Sequence, residues 1–156
     1  MEKSIETIRV TRNNFQQLME SLSINDLNKI PEGFSNNIIW NFGHCIVSQQ
    51  ILCYKLSGLP LKIEGSNISK YSKGSKPEKF LDENELEFLK DQDVKLIKEL
   101  SEDFENNLFE NFMPYKTGFQ IELTNIADVL KYICMHEGLH LGYSMALKRA
   151  IRKTSE

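Results

Sequence analysis

Four long segments of this chain repeat apolar residues at helical spacing, and no stretch alternates with period two over a convincing length. FQIEL, Phe119 to Leu123, is the one candidate strand, and a lone strand cannot build a sheet. The fold class is therefore all-α. The first helix is expected from about Ser4 to Leu22, with Ile5, Ile8, Phe15, Leu18, Met19 and Leu22 on one side and Arg12 interrupting the stripe. Ser23 can cap a short turn over Ile24 to Asn28. A second helix starts near Ser35 or Asn36 and runs to Ser57, stopped by Gly58 and Pro60. It carries two apolar stripes and so must touch more than one neighbour.

Residues 61 to about 80 have no core stripe and contain Gly65, Gly74 and Pro77. A connection of that length is uncommon in compact domains and often functional. It can carry the chain along the whole bundle, so that the flanking helices run parallel. The third helix spans about Asp82 to Leu108, with Leu86, Leu89, Leu96, Leu100 and Phe104 inward and a charged outer face. After a loop with Pro114 and Gly118, the fourth runs from Thr124 or Asn125 to about Lys153. At 156 residues the chain is one domain's worth, 1–156, and needs no staples.

Composition excludes several classes. A formal net charge of -3 leaves no basic footprint for nucleic acid. No run reaches about 18 apolar residues, and the N-terminal segment lacks the apolar stretch of a signal peptide. Cys45, Cys53 and Cys134 are odd in number and form no CxxC pair, which suits a reducing, cytoplasmic setting.

Only three histidines are present. His136 and His140 sit four apart within the apolar stripe Ile126, Val129, Ile133, His136, His140, Ser144, Leu147, Ile151, so both rings leave one helix face. Burying imidazoles in an apolar seam is costly unless they find partners, and a metal ion or buried hydrogen bonds can serve. His44 lies halfway along the second helix, where side-by-side packing can bring all three rings together. Three neutral imidazoles suit Zn, Ni, Fe, Mn or Cu, and three protein ligands leave a coordination position open.

His136-Glu137-Gly138-Leu139-His140 also matches the H-E-x-x-H pattern of zinc peptidases. Such enzymes take a third ligand from downstream, yet no histidine follows His140 and the sole downstream carboxylate side chain is Glu156. The third ligand must come from upstream. Glu137 then has two readings: a catalytic base on metal-activated water, or a carboxylate that orients a ligand imidazole. Asn41 and Ser48 flank His44 at helical spacing, and Tyr143 and Ser144 follow His140 by three and four residues. Each borders the histidine face as a candidate substrate or ligand-orienting contact. Trp40 is a core or pocket-wall aromatic, and Tyr115 a loop residue able to hang over one end of the bundle.

The segments Asn37-Ile38-Ile39-Trp40-Asn41-Phe42-Gly43-His44 and His136-Glu137-Gly138-Leu139-His140-Leu141-Gly142 resemble the second- and fourth-helix signatures of the DinB/YfiT-like superfamily. Tyr71-Ser72-Lys73-Gly74-Ser75-Lys76-Pro77 is similar to a loop in one branch. The resemblance implies an up-down-down-up four-helix bundle with a long crossover between helices two and three. It implies one divalent metal on His44, His136 and His140, and a homodimer; the stripe Leu130, Cys134, Leu141 and Met145 can serve a neighbouring helix or a partner chain. Characterised branches act on small molecules as metal-dependent hydrolases or as transferases and isomerases using a low-molecular-weight thiol cosubstrate. Two functions are thus expected to compete: a metal-dependent enzyme, and a non-catalytic metal- or ligand-binding dimeric bundle.

Overall fold

The computed structural model describes residues 2–153; Met1 and residues 154–156, Glu156 included, lie outside them. Helix α1 covers Glu2–Glu20 and the short α2 covers Ile24–Asn28, capped by Ser23, whose hydroxyl accepts from the Asp26 amide. Helix α3 runs over Ile38–Gln49 from an Asn37 N-cap, one or two residues later than the expected Ser35 or Asn36. It continues through a π-turn at Gln50–Tyr54 and a 3-10 turn at Lys55–Ser57, and ends on left-handed Gly58 at φ 70. Helix α4 is Gly65–Tyr71, α5 is Glu83–Glu105, and α6 is Ile126–Lys153. A reciprocal Asp82–Glu85 capping box starts α5.

Two expectations need correction. The crossover is not structureless, because α4 forms within it and buries Tyr71. FQIEL is also not isolated: Glu122–Leu123 (β2) pairs antiparallel with Tyr115–Lys116 (β1) in a two-residue ribbon. So short a pairing leaves no periodicity to read, and it is held by the buried Leu123 and by Thr117 contacts in the turn.

The four long helices form a closed ring in which α1 packs on α6, α6 on α3, α3 on α5 and α5 on α1. Cross-links fix their directions. Ser4 meets Cys134, Arg12 meets Glu137 and Ser21 meets Lys148, so α1 and α6 run parallel. Gln49 bonds Leu96 and Tyr54 bonds Asp103, so α3 and α5 are parallel too. Asn41 reaches His140 while the His44 ring lies beside His136, making α3 antiparallel to α6. The bundle is up-down-down-up. Helix α3 is buried nearly all round from Ile38 to Val47, as its two stripes require.

The apolar core falls into two clusters. One contains Phe15, Met19, Phe42, Leu89 and Leu147, and the other Ile5, Ile8, Leu100, Val129 and Ile133. Between them lies a polar layer. Arg12, fully buried, donates from Nε and Nη2 to the two Glu137 oxygens at 2.9 and 2.7 Å, and from Nη1 to Asp93. Gln16 donates to the second Asp93 oxygen at 2.9 Å. The residue that broke the first stripe thus ties α1 to both α5 and α6.

Removing one member of such a group strands buried charge, at a cost of about 3–5 kcal/mol, whereas replacing every member by apolar side chains can be neutral or stabilising. Urea melts should therefore show Arg12→Leu destabilised by about that amount, and the triple variant Arg12→Met, Asp93→Leu, Glu137→Leu recovering most of the loss.

Candidate metal centre

His44 from α3 and His136 and His140 from α6 converge. Their ring centroids are 5.2 Å (44–136), 4.8 Å (44–140) and 4.5 Å (136–140) apart, and one ring nitrogen of each lies within 4.8 Å of the others. The set is the one cluster of three potential protein ligands among the described residues that could hold a metal ion.

Two of the three imidazoles are prepared for that task. His44 Nδ1–H donates to the Tyr71 carbonyl at 2.7 Å, which makes Nε2 the unprotonated nitrogen, with the Ser48 hydroxyl 3.3 Å from it. That carbonyl is available because it ends α4, where the last carbonyls of a helix have no intrahelical partner. His140 Nδ1–H donates to Asn41 Oδ1 at 2.8 Å. The Asn41 amide is itself fixed, since its Nδ2 donates to the Asn37 carbonyl at 2.8 Å and to Asn36 Oδ1 at 3.0 Å. His136 Nδ1 is buried without a hydrogen-bond partner among the described residues. In addition, Trp40 stacks on His44 at 4.8 Å and 8°, and Tyr132 lies against His136 at 5.7 Å.

Burial and mutual repulsion hold all three rings neutral. The His136 imidazolium is pushed down to about 3 by desolvation and by His140, His44 and Arg12. That of His140 falls to about 4 by desolvation and by His44. His44 is lowered by burial, with the Tyr71 carbonyl opposing. Three neutral imidazoles, two of them oriented through Nδ1, are a donor set suited to a divalent transition metal.

The cluster forms the floor of a cavity of about 560 Å³, within the range for small-molecule sites. Ser48 lines it with its hydroxyl 3.3 Å from His44 Nε2, and Tyr143 and Tyr115 stand on its walls. Asn41 both lines the cavity and orients His140. Ser144 is a correction: it is fully buried, and its hydroxyl has no hydrogen-bond partner among the described residues. The one-turn step beyond His140 carries it into the bundle and away from the cavity wall. Glu137 is another. Both of its oxygens accept from Arg12, on the side of α6 that faces α1, and burial pushes its carboxyl upward. About 100° of helix rotation separates it from His136, enough to take it out of the cavity, and with both oxygens on Arg12 it sits neither as a base over the cavity nor as an acceptor for a ligand imidazole. Cys45, buried beside His44 in sequence, and the partly buried Cys134 both lie off the cavity lining.

A family model described as the DinB superfamily matches residues 7–144. The chain belongs to the DinB superfamily. No curated protein sequence matches it. The matched span takes in all three histidines of this DinB-superfamily bundle, both Nδ1 acceptors and the whole crossover.

Two supporting residues escaped the sequence. Tyr71 acts through its carbonyl, which carries no residue-type signal. Gly43 is the other. A Cβ there would lie 2.6–2.7 Å from the Tyr71 ring, so only glycine lets that ring lie on α3 and bring its carbonyl to His44. Gly43→Ala should displace α4 and cost about 10–100-fold in metal affinity. Asn41→Leu should do the same through His140. Competition with a chromogenic chelator measures both, against circular dichroism to confirm retained helix.

Proposed function

We propose that this protein is a metal-dependent enzyme that acts on a small molecule at the His44, His136 and His140 centre. The observation that carries the reading is the pairing of an oriented, neutral three-imidazole set with an adjoining cavity whose rim residues Lys73, Gly118, Phe119 and Leu139 are exposed. A structural site closes around its ion, whereas a catalytic one keeps a position for water or substrate. A divalent metal held there supplies Lewis-acid activation of a water or a thiol. The chain's own part is to hold three nitrogens, to exclude bulk water with Trp40, Val47 and Ile51, and to offer the Ser48 hydroxyl at the ligand edge.

With Glu137 committed to Arg12, no carboxylate among the described residues lines the cavity to act as a general base. That favours chemistry in which the activated group is itself the nucleophile, as in thiol transfer or a hydrolysis that needs no protein base. A peptidase reading gains nothing, because the Glu of the H-E-x-x-H string is turned away. No helix is long and apolar enough to cross a membrane, and all three cysteines are free, in keeping with a reducing compartment. For a homodimer, the stripe once available is largely consumed: Leu130 is buried and Cys134 and Leu141 pack on the core, leaving Met145 exposed. A pairing surface would draw instead on the exposed Met135, Leu139 and Tyr143 of α6.

Elemental analysis of untagged protein should find about one transition metal per chain, absent from His140→Ala. A panel of esters, amides and thiol conjugates should show turnover that chelator abolishes and metal restores. Stoichiometric metal with no metal-dependent turnover across the panel would leave the non-catalytic binding bundle as the function.

A further inference from the structure

We infer that the metal cavity selects organic anions, with Lys73 as the residue that recognises the substrate's anionic group; this rests on the metal-centre reading above.

Three observations converge. First, although the chain carries 22 acidic and 19 basic side chains, no Asp or Glu among the described residues lines the cavity. Second, the candidate ligands are all imidazoles, which coordinate as neutral rings, so a divalent ion held by them would keep its full double charge beside described lining residues that bring no negative charge. A bound anion is the simplest source of compensation. Third, Lys73 is the one lining residue with a formal charge, and it has no ion pair or hydrogen bond among the described residues. Several other lysines are engaged: Lys62 with Asp103 and Glu99, Lys70 with Glu85, Lys90 with Glu87.

Its position is also defined. Lys73 follows Tyr71, whose carbonyl is locked to His44, so the lysine backbone is anchored two residues from a metal-centre contact. Its ammonium group reaches the opposite lip, where Nζ would be 3.0 Å from a Cβ at Gly118. The side chain therefore spans the mouth between the crossover and the β1–β2 turn. Ser48, Tyr115 and Tyr143 line the same cavity and bring neutral hydroxyl-bearing side chains to it. Taken together, the site fits a small molecule whose one end meets the metal and whose other end carries a carboxylate or similar anion at Lys73. An ammonium is a compact, rotatable point charge suited to that role.

Binding tests this without turnover. In zinc-loaded protein at low salt, calorimetry compares 6-mercaptohexanoate with 6-mercaptohexanamide, which share a thiol for the metal and differ only in the distal charge. We expect the carboxylate to bind roughly 5-fold tighter, the modest preference due a solvent-accessible ion pair. That preference should fade as salt screens the contact. Lys73→Met should abolish the preference and leave amide affinity unchanged, and Lys73→Arg should retain it. Equal affinity of the two probes in the wild type, or a preference that survives in Lys73→Met, overturns the role of Lys73 while zinc content stays stoichiometric. Failure to load zinc is a different outcome: it removes the metal centre, and the anion reading falls with it.

Discussion

The bundle is organised around one buried guanidinium. Arg12 is wholly inside the protein, where an uncompensated cation would be prohibitive, so the helices on either side must deliver carboxylates to it. Asp93 from α5 and Glu137 from α6 do so. The bidentate geometry with Glu137 is directional, which ion pairing alone is not. It fixes how far α6 slides along α1 and how it is rotated about its own axis. Because His136 is the adjacent residue, about 100° away, turning Glu137 toward α1 turns His136 and His140 toward α3. The apolar clusters above and below the layer supply most of the apolar burial, and the ionic layer adds a directional constraint on register.

Rotation alone would deliver rings of undefined tautomer. Two backbone-anchored acceptors complete the arrangement, and each is a by-product of a helix end. Asn41 sits one turn into α3, and its amide is held by the Asn37 carbonyl and by Asn36. Tyr71 contributes the spare carbonyl at the end of α4. Gly43 lets α4 lie against α3. The long crossover therefore does two jobs: it returns the chain so that α3 and α5 run parallel, and it supplies a wall and an orienting group for the centre.

What could be read in the sequence follows from the range of each signal. The helices and the His136–His140 pair were legible because they rest on spacing within one helix, and His44 joined them through the scarcity of histidine; the helix directions came from the resemblance to the superfamily signatures. Arg12 was visible only as a break in a stripe. Asp93 occupies the matching gap between Leu89 and Leu96, and Glu137 looked like part of a metallopeptidase string. Nothing local joins three charges 81 and 125 residues apart, so the motif suggested chemistry for Glu137 that its pairing with Arg12 denies. Seven-residue α4 and the two-residue strands are too short for periodicity, and backbone acceptors leave no trace in residue type.

Helix α6 thereby separates two electrostatic environments with consecutive residues. Position 137 sends its charge inward, where a guanidinium neutralises it; positions 136 and 140 face the cavity with uncharged rings. Had the carboxylate faced the cavity, it would have offset the charge of any bound cation and repelled anions from the mouth. Sequestering it does the reverse. The interaction that sets the rotation of α6 is also the one that keeps negative charge out of the site, so the stability of the fold and the preference of the cavity for anions have the same physical origin.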